Sequence, residues 1–347
     1  MTPMLKLILR RVLWSIPVLL AILIIVFSLM HAMPGGPWDN EGGGPRALSN
    51  LGMNDNIKQS LIRRFGLNEP LWKQFTAYVI GRTPPSGEFI CGLICGNMGP
   101  SYQAGGRPVN DILLGPPSRG KTILESRFVY SLRLAGYAFL AAVLVGLPLG
   151  IIAALRQDTW VDYTIKTVAT LLISLPNFVI GLLMIIVLGG QLHLITISPT
   201  NWAEFVPRTW FTPIFILSIG TLAPLIRITR SSILEVLHRD YVRTARGKGA
   251  PEPRVLILHI LKNALIPIIT FSGPALLELF AGTFVVEAMF GYPGMGREFV
   301  DAAVSRDYSM IMGSVLIYAV IIVGANILVD VLYGMVDPRT RMMQGEA

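Results

Sequence analysis

Residues 129–155 read VYSLRLAGYAFLAAVLVGLPLGIIAAL, with one charge, Arg133, near the start. A helix crossing the hydrocarbon core of a bilayer needs roughly 20 mainly apolar residues, and this stretch supplies them. Five others do the same: Val12–Met30, Tyr163–Gly189, Thr209–Ile228, Ala264–Val286 and Ser309–Tyr333. The reading is an all-α membrane protein with six transmembrane helices. Over the whole chain of 347 residues, 52% are hydrophobic and 14% charged, whereas soluble domains carry about 25% charged residues. The fourth span is the weakest, since Pro213 and Pro224 interrupt it. Pro17, Pro148, Pro176, Pro267 and Pro274 also fall within spans. Membrane helices tolerate proline where neighbouring groups re-satisfy the freed carbonyls, and helices kinked this often suit a bundle that lines a path.

Charge sets the expected orientation. Lys6, Arg10 and Arg11 precede the first span, and Arg230, Arg239, Arg243, Arg246, Lys248, Arg254 and Lys262 lie between the fourth and fifth. Residues 190–208 offer only Arg208, and residues 288–308 only Arg297 and Arg306. Short cationic loops stay in the cytoplasm, so both termini are expected inside. The net charge of +8 is then a topology signal, and nucleic acid is an unnecessary partner. The first apolar run exceeds the ~7–15 residues of a cleavable signal and reads as a retained anchor. The expected division is an anchor at 1–33, an extracytoplasmic loop at 34–127, a core at 128–334 with a cytoplasmic loop at 229–262 inside it, and a cytoplasmic tail at 335–347.

The outer loop is too long for a passive turn. Asn54 or Asp55 is placed to cap a helix carrying Ile57, Leu61, Ile62 and Phe65 on one face. A second helix is expected to open at Asn68, with Leu71, Trp72, Phe75 and Tyr78 as its stripe. The two either rest on the bundle, or form a lid over its outer mouth or a platform for a substrate-delivering protein. Cys91 and Cys95 would face an oxidising compartment, which favours a disulfide; free thiols and a metal site stand as alternatives. Gly115-Pro116-Pro117-Ser118-Arg119-Gly120-Lys121-Thr122 matches the phosphate-loop pattern letter for letter. That chemistry needs a preceding strand, a following helix and backbone amides around the phosphates. Two prolines remove amides here, and a span follows at once, so a nucleotide site is rejected.

Ser231–Arg246 reads as one short helix with apolar and basic faces. Gly249 is suited to the left-handed conformation that ends a helix, and Pro251 and Pro253 prevent its continuation. Charge alone would leave this an ordinary inside loop. But Asp240-Tyr241-Val242-Arg243-Thr244-Ala245-Arg246-Gly247-Lys248-Gly249, followed by Lys262-Asn263-Ala264-Leu265-Ile266-Pro267, resembles the "EAA" loop of ABC-importer permeases. The variant is that of the first (B-type) subunit in the oligopeptide/dipeptide/nickel branch. Further matches are Glu278, Glu287-Ala288-Met289-Phe290-Gly291-Tyr292-Pro293-Gly294-Met295-Gly296-Arg297, Ser305-Arg306-Asp307-Tyr308 and Asp337-Pro338-Arg339. Met33-Pro34-Gly35-Gly36-Pro37 and Arg64-Phe65-Gly66-Leu67-Asn68-Glu69-Pro70-Leu71-Trp72 fit as well. The long outer loop, the stretch Gly115–Ser126 and the cysteine pair depart from the branch.

The resemblance implies a type I importer permease fold and a chain that hydrolyses nothing. ATP and Mg would sit on two separate ATP-binding-cassette ATPase subunits, with no cofactor on this chain. A second homologous permease subunit and an extracytoplasmic substrate-binding protein would complete the complex. Asp240, Tyr241, Val242, Arg243, Thr244, Ala245, Arg246, Lys248 and Gly249 would couple to the ATPase. In that picture Arg243, Arg246 and Lys248 pair with acidic groove residues while Tyr241, Val242 and Ala245 fill apolar contacts. Charges at Val242 or Ala245, or replacement of Gly249, are therefore expected to uncouple hydrolysis from uptake. Glu278 and Glu287 either hydrogen-bond within the bundle or shape the path. Gly291, Pro293 and Gly294, in a segment (Gly291–Gly296) that cannot continue the fifth helix, form an outer gate or a tight turn. Gly146 and Gly150 read as helix-packing positions. Peptide is the expected substrate and nickel the alternative. An intramembrane enzyme is disfavoured by the absence of a His-Glu-x-x-His motif and the scatter of His31, His193, His238 and His259. An ion-gradient transporter should show inverted repeats or intramembrane charge pairs, and neither is evident.

Overall fold

The computed structural model describes residues 3–33, 35–38, 55–83, 87–116, 122–196, 202 and 206–336. Pro34, Asn54 and the tail motif Asp337-Pro338-Arg339 lie outside these, as do positions 117–121 of the phosphate-loop match. The helices are α1 (Pro3–Ala32), α2 (Asp55–Phe65), α3 (Leu71–Val79), α4 (Val109–Leu113), α5 (Arg127–Leu155), α6 (Trp160–Ser174) and α7 (Asn177–Met184). They continue as α8 (Pro207–Leu237), α9 (Asp240–Gly247), α10 (Glu252–Val255), α11 (Lys262–Ala281), α12 (Thr283–Phe290), α13 (Met295–Ser305) and α14 (Tyr308–Val336). Two π-helical segments, Ile185–Gln191 and Leu256–Leu261, extend α7 and join α10 to α11. Among the described residues, five helices are long and apolar enough to cross a membrane, and α6 with α7 makes a sixth if that bent pair is one span.

Two compact units divide the chain. The first comprises Met1–Leu9, Leu132–Phe290 and Ile322–Ala347. Its centre is α8, the span that looked weakest in the sequence. Of the apolar window of α8, 61% is buried, against 6% for α1. A helix enclosed by other helices need not be apolar all round, which explains Thr209, Thr212, Ser218, Thr221, Thr229 and Ser232 on its buried surface. Two of these hydroxyls satisfy themselves locally: Ser218 Oγ donates to the Phe215 carbonyl at 2.7 Å and Thr209 Oγ1 to that of Val206 at 2.9 Å. Both internal prolines are accommodated without a break in the helix.

Gly146 and Gly150 let α5 approach α8. A Cβ at Gly150 would stand 2.5 Å from Thr229 Cβ and 3.0 Å from the Ile226 carbonyl oxygen; one at Gly146 would meet Leu225 at 3.0 Å. Gly150→Val is expected to destabilise the chain by about 1–3 kcal/mol, the usual range for overpacking. Thermal unfolding of the detergent-purified chain would show it, and an unchanged midpoint would contradict this packing.

The third span is not the single rod expected at Tyr163–Gly189. It breaks between α6 and α7, whose axes meet at 93°. Leu175 is extended (φ −96°, ψ 134°) ahead of Pro176. The residue before a proline is driven out of the helical region, and here the chain turns instead of merely kinking. The fifth span also differs, for helical structure begins upstream at Glu252 and runs to Ala281. Gly282 then interrupts it, so Glu287 stands on the separate α12.

The second unit comprises Arg10–Ser131 and Gly291–Ile321. Here α3 rests on α1: Phe27 and Phe75 meet edge-on at 5.4 Å, and His31 Nε2 lies 3.3 Å from Gln74 Oε1. It opens at Leu71, not Asn68, with Pro70 extended just before the first turn. Trp38, Phe65, Tyr102 and Tyr308 continue the aromatic contacts at centroid distances of 5.6, 4.7 and 6.2 Å. Buried Asp307 gathers this region. It accepts the Ser101 hydroxyl, the amides of Tyr102 and Gln103 at 3.1 and 3.2 Å, and that of Met310 at 3.3 Å in the first turn of α14. Strands β1 (Gly81–Arg82) and β2 (Ile90–Cys91) pair antiparallel, and Cys91 is joined to Cys95 as a disulfide. Around the phosphate-loop match the described chain is helical, with α4 before it and a 3-10 turn, Ile123–Glu125, after it. The element that leads directly into it is thus a helix and not a strand, so the required context is missing.

Candidate functional site: a short basic helix between two spans

The expected helix Ser231–Arg246 is two helices. α8 runs on to Leu237, the chain turns at His238 and extended Arg239 (φ −75°, ψ 145°), and α9 starts at Asp240. No proline or glycine marks this turn; tertiary burial decides it. Val242 is fully buried and Ala245 nearly so, in a cluster with Ala154, Ile233, Val255, Ile260 and Ala264 drawn from α5, α8, α10, the second π segment and α11. The expectation that Val242 and Ala245 face an ATPase is therefore corrected: they seat α9 on its own bundle. Three residues apart, they occupy one side of the helix. Tyr241, Arg243, Thr244 and Lys248 are exposed, Tyr241 at 43%. Arg246 also departs from expectation, since its guanidinium is clipped to Glu252 by contacts of 2.8 and 3.2 Å. Asp240, exposed in the first turn, complements the positive end of the helix dipole.

The end of α9 follows the sequence reading. Gly249 adopts φ +78°, its amide donates to the Arg246 carbonyl at 2.9 Å, and the Ala250 amide donates to that of Ala245 at 3.3 Å. A Cβ on Gly249 would meet nothing within 4 Å, so Gly249→Ala carries only the left-handed backbone cost of about 1–2 kcal/mol. The expected outcome is a frayed α9 terminus with wild-type membrane abundance; a fall in abundance of ten-fold or more would mean the turn does more than end a helix.

Sequence reading missed the ion cluster nearby. Asp162, fully buried in the first turn of α6, receives both arms of the Arg230 guanidinium at 2.8 and 2.7 Å, with Lys166 Nζ at 3.2 Å. The Asp158 amide adds a fourth donor at 3.1 Å. The fork-on-carboxylate geometry is the strong form of this interaction. It ties α6 to the end of α8 that leads into α9. In the sequence Arg230 reads only as a topology charge, and 68 residues separate it from its partner. Asp162 with Lys166 one turn later was the only local signal.

The two carboxylates expected within the fifth span part company. Glu278 is exposed on α11, whereas Glu287 is fully buried on α12. In the turn after α12, Gly291 takes φ +63°, and Tyr292 is buried with its hydroxyl donating to the Tyr130 carbonyl at 2.9 Å. The Gly294 amide donates to the Tyr292 carbonyl at 2.8 Å. Gly294 precedes the first turn of α13, and the Met295 amide donates to Ser131 Oγ at 2.9 Å. Non-helical backbone is thus confined to Gly291–Gly294, since Met295 and Gly296 begin a helix.

The short helix thus has an apolar side seated in a bundle of long apolar helices and a polar side left open. Residues 146–342 match the family model described as "Binding-protein-dependent transport system inner membrane component". The oligopeptide transport system permease protein OppB of Escherichia coli (strain K12) is 33% identical over 338 residues, covering 97% of this chain and 100% of the relative. The dipeptide transport system permease protein DppB of Bacillus subtilis (strain 168) is 34% identical over 330 residues, covering 93% and 94%. Among solved structures, inward-facing conformations of the MetNI methionine ABC transporter align with a TM-score of 0.48 and 14% identity, over 60% of this chain and 94% of that one. Full-length likeness to permease subunits thus coincides with a helical membrane bundle that carries the short helix, and the chain belongs to the family of binding-protein-dependent transport system inner membrane components.

Proposed function

We propose that the chain is one of two permease subunits of an ABC importer that takes up short peptides, oligopeptides or dipeptides, by alternating access. Two separate ATPase subunits bind ATP and Mg, this chain hydrolyses nothing, and an extracytoplasmic binding protein delivers substrate. Relatives named for oligopeptide and dipeptide systems support peptide over nickel. The cationic segments support cytoplasmic termini and a cytoplasmic loop at 229–262, with the outer loop at 34–127 on the opposite side and the core at 128–334.

One observation carries the mechanism: α9 is seated by Val242 and Ala245 in the core that α5, α8 and α11 share. Force applied to Tyr241, Arg243 and Lys248 by a closing ATPase pair then passes into three helices at once, the rigid-body motion that alternating access needs. Glu278, exposed on an isolated chain, is assigned to the path or to the contact with the second permease subunit, because a carboxylate at membrane depth requires a polar partner or a cavity. Gly291, Pro293 and Gly294 are assigned to a gate at the outer mouth. The test is uptake of a labelled tetrapeptide by proteoliposomes containing the whole complex. Uptake should follow ATP hydrolysis; uptake that follows an imposed ion gradient without ATP would replace this reading with a secondary transporter.

A further inference from the structure

Within the second unit, the outer end of α1, the turn after α2, α3, the strand pair and the first turns of α14 line a cavity of about 740 Å³. Small-molecule sites span roughly 300–1,000 Å³. The ionisable lining is lopsided: Arg63, Arg64, Arg82 and Lys73 face a single carboxylate, Glu69, and Lys73 already pairs with it at 3.3 Å. Three guanidiniums remain, and none of them has a carboxylate partner among the described residues. Among the described residues Arg82 donates to the Arg64 carbonyl at 3.0 Å, and Arg64 stands over the Phe65 ring at 5.9 Å. The Tyr78 hydroxyl, on the same wall, is buried with no hydrogen-bond partner among the described residues. Burial pushes the Tyr78 phenol well above its ordinary range, so it stays a donor at any physiological pH.

This is an inventory of donors without an acceptor. A guanidinium fork matches the two oxygens of a carboxylate, and an unpaired buried hydroxyl is the kind of group a ligand acceptor relieves. Phe65, Tyr102, Tyr308 and Met312 supply aromatic and apolar walls around the cations, which a bare inorganic anion would leave unused and a peptide's side chains would cover. We propose that this cavity binds the C-terminal carboxylate of a short peptide, with Arg63, Arg64 and Arg82 receiving the anion and Tyr78 donating to it. The proposal rests on the peptide-uptake reading above. It adds a substrate contact on the permease itself, between the outer loop and the start of the last span.

The test uses the whole complex in neutral-lipid nanodiscs, without nucleotide and without the soluble binding protein. N-terminally labelled tetra-alanine is titrated as the free acid and as the C-terminal amide. The acid should bind at least about ten-fold more tightly, the usual worth of hydrogen bonds to a charged group. The paired change Arg63→Gln and Arg64→Gln should erase that ratio. Tyr78→Phe should weaken the acid and leave the amide unchanged, a signature that misfolding would not produce. Equal binding of acid and amide, an unaltered ratio in the arginine variant, or displacement of the acid by an equal concentration of inorganic phosphate would overturn the proposal. ATP-driven uptake by the complete system is measured separately. Uptake with no preference for the acid in the nanodisc assay removes the site alone; a site that binds acid in a complex that never moves peptide removes the transport reading alone.

Discussion

Arg230→Ala, with Asp162 retained, is expected to destabilise the chain by about 3–5 kcal/mol, because it strands a buried carboxylate. Asp162 is fully buried and Arg230 supplies its two shortest contacts, 2.7 and 2.8 Å. Lys166 does not substitute for it. That side chain is 40% exposed and reaches Asp162 at 3.2 Å with one ammonium, and such partly solvated pairs contribute about 0–1 kcal/mol. The reciprocal Asp162→Ala leaves an arginine without its partner and should cost a similar amount. The double change Asp162→Leu with Arg230→Met should recover most of the loss, since apolar replacement of a buried pair is often neutral or better. Thermal unfolding of the wild type and these three variants in detergent makes the comparison. If the single and double variants lose stability additively, the two side chains are not coupled and the strut between α6 and α8 is ornamental.

The second large effect separates the two sides of α9. Tyr241→Asp together with Arg243→Glu leaves the buried cluster untouched, because both residues are exposed. The chain should accumulate and unfold as wild type, while affinity for the ATPase subunits falls by roughly 30-fold or more, the scale of losing a Tyr or Arg hot spot. Uptake should fall with it. Val242→Asp is expected to behave in the opposite order, lowering the amount of folded chain before any effect on coupling can be read, because it places a charge in the cluster of Ile233, Val255 and Ile260. Copurification of ATPase per mole of permease, compared with permease abundance in the membrane, distinguishes the two patterns. Equal copurification by wild type and the Tyr241/Arg243 variant would put the docking surface elsewhere.

What the sequence made legible follows from which physics is local. Apolar length marks a span regardless of its neighbours, so the helices carrying residues 12–30, 129–155 and 309–333 lie where hydropathy places them. Gly249 has its left-handed conformation because a helix end needs one, and Gly150 faces Thr229 because close helices need small residues. Proline was harder to read. Pro213 and Pro224 sit inside an unbroken α8, while Pro176 divides a span at 93°. The difference lies in surroundings that composition does not encode. Pairings across long separations were equally hidden: Asp162 with Arg230, and Asp307 with the turn at Ser101–Gln103. The face of α9 was misassigned for the same reason. In eight residues, which apolar side chains belong to the chain's own core and which to a partner depends on where the helix lies, and the periodicity is identical in both cases.

The anchoring of α9 in its own bundle bears on any attempt to block this permease with a copy of that helix. A free decapeptide copied from residues 240–249 would be a poor decoy, because the native helix is eight residues long and isolated helices shorter than about 12–15 residues are marginal in water. Detached from its seat, the mimic would also bare Val242 and Ala245 and lose the shape that displays Tyr241 and Arg243 on either flank of that buried face. A useful competitor would need a hydrocarbon brace across positions 242 and 245, replacing with synthetic chemistry the grip that the bundle provides.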